Sequence, residues 1–241
     1  MRGIILSAGL GTRMGDMSKR TPKPLVYVAG RTLLDRALDR TDEAGFDCVV
    51  VNVHHHADQL EAHLARRIDA GQVVISDERD KLLDTGGGVK KALPLLGKHP
   101  FFTINSDALW LDGAGSALLR LASAFDADRM DALLLLIPTP DALGYDGVGD
   151  FIPFADGMGP MPIDFRGEAP VAPVMYGGIQ MIASSLYDNT PDGAWSNRVV
   201  FRKAAAAGRL FGLVHDGHWM HVGTPEGVTD AEARLKELGA P

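Results

Sequence analysis

Short apolar runs alternate with amphipathic segments from the first residues onward. Gly3-Ile4-Ile5-Leu6 has the pattern of a buried strand. Arg31 to Ala44 carries apolar residues at Leu33, Leu34, Ala37 and Leu38, which predicts a helix stopped at Gly45. Cys48 to Val53 is β-branched and apolar on both sides, as expected of a parallel strand covered on both faces. Asp58 to Ile68 places Leu60, Leu64 and Ile68 on one helical stripe. Val73 to Ser76 predicts a third strand and Gly88 to Leu96 a helix limited by Pro94. Phe101 to Asn105, Gly115 to Phe125 and Ala132 to Ile137 then read as strand, helix and strand. The alternation predicts an α/β fold, a Rossmann-like doubly wound sheet that is mixed but mostly parallel.

From Thr139 the texture changes. Gly and Pro are dense through Pro173, which predicts loops and short antiparallel strands forming a small β-rich lobe over the sheet edge. Met175 to Ile182, containing Gly177-Gly178, predicts a strand back in the core. A helix over Val199 to Ala207, a strand over Leu210 to Val214 and a last helix over Glu226 to Leu238 complete the pattern. The expectation is one domain over 1–241, divided near residue 138 into a regular half and a lobe with closing elements. A chain of 241 residues is long enough for a real core.

Composition narrows the choice of partners. The chain is 46% hydrophobic and 23% charged, ordinary for a globular protein. Its net charge of −7 argues against nucleic acid, yet a local basic cluster can still hold phosphates. One cysteine excludes an intrachain disulfide and a Cys-rich metal site, which fits a reducing cytoplasm. Cys48 lies in an apolar run and reads as a buried structural thiol. No apolar run is long enough to span a membrane, and Met1-Arg2 lead straight into a strand without a signal-peptide pattern. A cytoplasmic protein without membrane association is expected.

In open α/β sheets, ligands bind beyond the carboxyl ends of the strands. Three polar clusters fall there: Ser7 to Met14, Asn52 to His56, and Asn105-Ser106-Asp107. The first is small and Gly-rich (Ala8, Gly9, Gly11, Thr12), so backbone can approach a phosphate closely, with Arg13 and Lys23 adding positive charge. Its glycine spacing matches neither the P-loop nor the dinucleotide fingerprint. Asp107, directly after a strand, is placed either to hold Mg²⁺ or to cap the next turn. Asp84-Thr85-Gly86-Gly87-Gly88 predicts a binding loop before a helix N-terminus. His54-His55-His56 predicts a polar strand end lining the pocket, because adjacent side chains diverge too much to share one ion.

Taken together, Leu6 to Met14, Thr21-Pro22-Lys23-Pro24-Leu25, Asn105-Ser106-Asp107 and Trp219 to Glu226 resemble the sugar-1-phosphate nucleotidyltransferases over nearly the whole chain. Asp84 to Gly88 followed by Lys91 to Gly97 is most similar to the bacterial N-acetylmuramate-1-phosphate uridylyltransferases of cell-wall sugar recycling. Mannose-1-phosphate guanylyltransferases and glucose-1-phosphate thymidylyl- or uridylyltransferases are the competing readings. A non-catalytic nucleotide-sugar sensor on the same fold is the alternative of another class.

The resemblance implies that a sugar 1-phosphate attacks the α-phosphorus of a nucleoside triphosphate and releases pyrophosphate. It makes Arg13, Lys23 and Asp107 catalytic. It assigns the nucleotide to 1–138 through Ala8, Gly9, Gly11, Thr12, Thr85, Gly86 and Gly87. It assigns the sugar to Asn105, Gly177 and Gly178. It implies Mg²⁺ on Asp107, a monomer or homodimer, and no left-handed β-helix after the domain. Two positions depart from the family pattern. His221 stands where a second metal carboxylate is usual, which leaves His221, Asp216 or no residue as the second ligand and favours tolerance of Mn²⁺. Asp164-Phe165-Arg166 stands where Glu-Lys-Pro is usual, so Arg166 is expected to take the place of the Lys near the sugar phosphate.

Overall fold

The computed structural model describes residues 1–240. Its centre is a nine-stranded mixed sheet. The first half supplies β1 (Arg2–Leu6), β4 (Cys48–Val53), β5 (Val73–Asp77) and β6 (Phe101–Asn105), which are mutually parallel, with β1 between β6 and β4. Two short strands, β2 (Tyr27–Val28) and β3 (Arg31–Thr32), form a small hairpin between β1 and β4. The crossovers carry α1 (Leu33–Glu43), α2 (Ala57–Asp69) and α3 (Asp84–Leu96). Thr32 caps α1 by accepting the Asp35 N–H at 3.0 Å, and Gly45 ends the turn after it with φ 74°.

The second half continues the sheet. β8 (Ala132–Pro138) and β13 (Leu210–Val214) are parallel to each other. Between β6 and β8 lies β12 (Val174–Ile182), antiparallel to both. Short β10 (Phe151–Pro153) and β11 (Met161–Phe165) extend the far edge and form the lobe. α4 (Ala117–Ala124) and α5 (Arg198–Ala206) cover the sheet, while α6 (Pro225–Glu237) packs on β2 and on residues 218–221. Leu133, Leu135, Ile5, Val51, Ile104 and Phe102 belong to one buried cluster, and Leu134, Leu136, Ile4, Val50 and Phe101 to another. The central strands are therefore apolar on both faces, as their composition requires.

Two features depart from the sequence reading. β7 (Ala108–Leu111) starts immediately after Asp107 and pairs with β14 (His218–His221), which also pairs with the two-residue β9 (Ala142–Leu143). This second small sheet ties the residues after Asp107 to those around His221. The triple glycine is not a loop but the first turns of α3. It is helical because it is covered: the Gly86 and Gly87 N–H groups both donate to the Trp195 carbonyl, at 2.8 and 3.1 Å. A Cβ on Gly86 would overlap the Trp195 ring, and one on Gly87 the Gly193 carbonyl. No helix among the described residues is long and apolar enough to cross a membrane.

Candidate active site

The carboxyl ends of β1, β4 and β6 open onto a cavity of about 370 Å³. Ser7, Ala8, Gly9, Gly11, Thr12 and Arg13 line one wall, Lys23 and Pro24 another, and Asn105, Ser106 and Asp107 the floor. Asn52, Leu82, Asp84, Thr85 and Gly223 complete it. The backbone explains how the first loop bends around the space. Gly11 (φ 63°) and Gly15 (φ 58°) take positive φ that admits sharp turns, and two short helical turns over Thr12–Lys19 are broken by a kink at Gly15. A Cβ at Gly9 would meet nothing within 4 Å, so that backbone faces open space.

Lys23 Nζ lies 2.7 Å from Asp107 Oδ2 on the cavity floor. Both side chains are largely buried, at 11% and 25% exposure, so the pair is weakly screened. Burial alone would raise the Asp107 carboxyl, but Lys23, His221 and Arg13 outweigh it and hold Asp107 below the usual carboxylate range. His221 Nδ1 is 4.0 Å from Asp107 Oδ2. Burial pulls the His221 imidazole below its ordinary value even though Asp107 pulls the other way, so at neutral pH the ring is uncharged. The ring stacks on Trp219 (6.1 Å, 11° between planes) and abuts Gly223, where a Cβ would overlap it.

A buried relay joins two walls of the cavity, and the sequence reading missed its central member. Asn52 Oδ1 accepts the Ser7 N–H at 2.7 Å. Asn52 Nδ2 donates to Glu78 Oε1 at 2.7 Å, and Leu83 N–H donates to Glu78 Oε2 at 3.1 Å. Glu78 is fully buried. Burial raises its pKa above the ordinary carboxylate value despite the hydrogen bonds from Asn52 and Leu83. In the run Ser76-Asp77-Glu78-Arg79-Asp80 nothing marks Glu78 as the buried acid. The only available hint was Asn52, a polar residue inside an apolar strand.

The other expected site residues fall as follows. Thr85 lines the cavity, and its Oγ1 accepts the Asn197 N–H at 2.9 Å. Gly86 and Gly87 lie under Trp195 and are absent from the lining, so the binding-loop expectation is replaced by a packed helix start. Asn105 lines the cavity and packs against Gly178 (φ 79°), where a Cβ would sit 3.1 Å from the Asn105 side chain. The Gly177 carbonyl accepts Trp219 Nε1–H at 2.9 Å. Arg166 is in the lobe, donating to the Ala169 carbonyl, outside the cavity lining. Asp216 is engaged elsewhere, with Arg120 at 2.5 Å.

The histidine tract does not line the cavity. His55 and His56 each bring Nε2 to the Ser18 carbonyl, and His54 Nδ1 meets the Glu78 carbonyl. They brace the loops instead. Cys48 is half-buried, and burial pushes its thiol upward, which suits a structural role.

A cavity at the strand ends with two cations, the Asp107 carboxylate on its floor and a glycine-lined backbone is built for transfer at a polyphosphate. Residues 3–139 match the MobA-like NTP transferase domain, and the chain belongs to this family, among the sugar-1-phosphate nucleotidyltransferases. It is 43% identical over 97% of its length to the N-acetylmuramate alpha-1-phosphate uridylyltransferase of Caulobacter vibrioides, covering 96% of that protein. It is 33% identical to the enzyme of the same name from Neisseria meningitidis serogroup B, with 97% of each chain covered. In fold it is similar to a UDP-glucose pyrophosphorylase solved with UDP-glucose (TM-score 0.80, 16% identity, 98% of each chain).

Proposed function

We propose that the protein transfers the uridylyl group of UTP to N-acetylmuramate 1-phosphate, giving UDP-N-acetylmuramate and pyrophosphate, in the reclaiming of a cell-wall sugar. The Lys23–Asp107 pair on the cavity floor is the observation that carries the reaction class. It stores opposite charges where a phosphate would enter. The full-length likeness to two uridylyltransferases supports the choice of substrates.

In this reading the triphosphate lies along Ala8, Gly9, Gly11 and Thr12, with the base toward Thr85. Arg13 neutralises the departing pyrophosphate. Lys23 turns from Asp107 to the α-phosphate and the incoming sugar phosphate. Little covalent work falls to the protein; positioning and charge neutralisation supply the rate. The sugar lies toward Asn105, Gly177 and Gly178.

The donor set suits Mg²⁺. Among the described residues no group of three His, Cys, Asp or Glu could hold a metal on its own. Mg²⁺ asks for one or two carboxylates and takes its other oxygens from phosphates and water. Asp107 would supply the carboxylate, with His221 beside it. When bound, the ion would neutralise phosphate oxygens of the triphosphate.

Pyrophosphate release, measured with UTP, GTP and dTTP against a panel of sugar 1-phosphates, tests the reading. Release with UTP and N-acetylmuramate 1-phosphate well above every other pair is expected. Tight nucleotide binding without release for any pair would make the protein a sensor, the reading that His221 at a carboxylate position favours.

A further inference from the structure

The lobe holds a group of cations that phosphate transfer does not use. Phe165, the last residue of β11, is stacked by two guanidiniums from successive turns of α5. Arg198 Cζ lies 5.3 Å from the ring centroid and Arg202 Cζ 4.6 Å. Phe165 is itself fixed by the Phe151 ring at 4.9 Å. Arg166 is the next residue along the chain. Within this group only Arg198 has a carboxylate, Asp150, at 3.6 Å. Arg202 is exposed, and none of the ion pairs among the described residues includes it.

The group lies outside the cavity lining and is tied to it through Asp150. Asp150 Oδ2 accepts the Tyr176 N–H at 3.1 Å, and the Asp150 carbonyl accepts the Arg166 N–H at 2.8 Å. Tyr176 directly precedes Gly177-Gly178, and Gly178 packs on Asn105, which lines the cavity. A short path of contacts therefore runs from the cavity floor to Arg198 and Phe165.

Stacking on an aromatic ring uses the face of a guanidinium and leaves its in-plane N–H donors free. Such donors suit a planar carboxylate better than any neutral sugar hydroxyl. N-acetylmuramate differs from N-acetylglucosamine by a lactyl ether that carries one carboxylate. An enzyme that selects the former needs a cation on its sugar side. We propose that Arg202, held on Phe165 beside Arg198, receives the lactyl carboxylate and selects the acidic sugar. This inference rests on the substrate reading above.

The test compares kcat/KM for N-acetylmuramate 1-phosphate with that for N-acetylglucosamine 1-phosphate, in wild type, Arg202→Gln and Arg202→Lys. The ratio is expected to fall roughly 10- to 100-fold in Arg202→Gln, the worth of a charged hydrogen bond, mainly through KM of the muramate substrate. Arg202→Lys should keep part of it. The lactyl methyl ester, a neutral probe, should lose as much in wild type as the acid loses in Arg202→Gln, and nothing further in that variant. An unchanged ratio in Arg202→Gln, in an enzyme that does use N-acetylmuramate 1-phosphate, overturns this inference alone. A wild-type enzyme that does not use that substrate overturns the parent reading and this one with it.

Discussion

Lys23 and Asp107, 84 residues apart, meet at 2.7 Å on the cavity floor and neutralise each other until substrate arrives. The pair makes a prediction about rate. Lys23→Met and Asp107→Asn should each lower kcat for pyrophosphate release by about 10²-fold or more, the usual scale for losing one electrostatic contact in a transition state. Both variants should still unfold cooperatively, with a lowered melting temperature, because each leaves a largely buried charge without its partner. Near-normal turnover in Asp107→Asn would remove Asp107 from the chemistry.

The Ser7–Asn52–Glu78–Leu83 relay predicts a coupled loss of stability and nucleotide affinity. Glu78→Ala leaves Asn52 Nδ2 and the Leu83 N–H without their acceptors in a buried site. That should cost about 2–4 kcal/mol in urea unfolding, since each buried orphan donor costs roughly 1–3 kcal/mol. KM for UTP should rise more than KM for the sugar phosphate, because the relay holds Ser7 on one nucleotide wall and Leu83 near the other. Equal effects on both substrates would reduce Glu78 to general support of the fold.

The alternation of strands and helices was legible because β-branched apolar runs and helical stripes differ in period. It located the parallel strands and, through their carboxyl ends, Ser7 to Arg13 and Asn105 to Asp107. The structure of the triple glycine was not legible. Its helical state depends on Trp195 and Asn197, more than a hundred residues further along the chain. β7 and β14 are too short to carry a period, and they form only by pairing across the chain. Glu78 looks in sequence like any acid in a charged turn. Its burial comes from α3 closing over it, where a Cβ on Gly88 would sit 2.7 Å from its Oε1.

That closure makes the glycines a packing device with a measurable signature. Gly86→Ala gains roughly 1 kcal/mol of helix propensity. Against this, its Cβ would overlap the Trp195 ring, and overpacking of this kind costs about 1–3 kcal/mol. The net change should be destabilising in chemical unfolding. Trimming Trp195 to Leu in the Gly86→Ala background should recover part of the loss, giving a favourable coupling in a double-mutant cycle. Additive losses would mean that the ring is not what constrains Gly86.

His215 is buried, with Nε2 near the Leu111 carbonyl at 3.1 Å and Nδ1 without a partner. Burial depresses its pKa below the ordinary histidine value, although nearby Asp112, Asp216 and backbone carbonyls oppose the shift. Below about pH 6.5 the unfolded chain takes up this proton before the folded one does. Its contribution to stability is therefore complete above that pH and is lost as pH falls through the histidine range. Denaturant unfolding between pH 7.5 and 5 should show a shallower acid-side decline for His215→Gln than for wild type. Parallel pH profiles for the two proteins would refute this.

His221 faces Asp107 Oδ2 at 4.0 Å, close enough for the two side chains to share an ion if one binds. Neutral imidazole is a softer donor than carboxylate and serves Mn²⁺ better than Mg²⁺. His221→Asp should therefore lower the Mg²⁺ concentration needed for half-maximal pyrophosphate release by several-fold and reduce the ratio of Mn²⁺- to Mg²⁺-supported activity. The aspartate is smaller than the imidazole that now packs between Trp219 and Gly223, so some stacking is lost and a modest drop in melting temperature should accompany the change. If the concentration dependence on both metals stays as in wild type while kcat falls, His221 acts through packing on Gly223 and not at the metal. A shift in metal preference alone places residue 221 beside the ion.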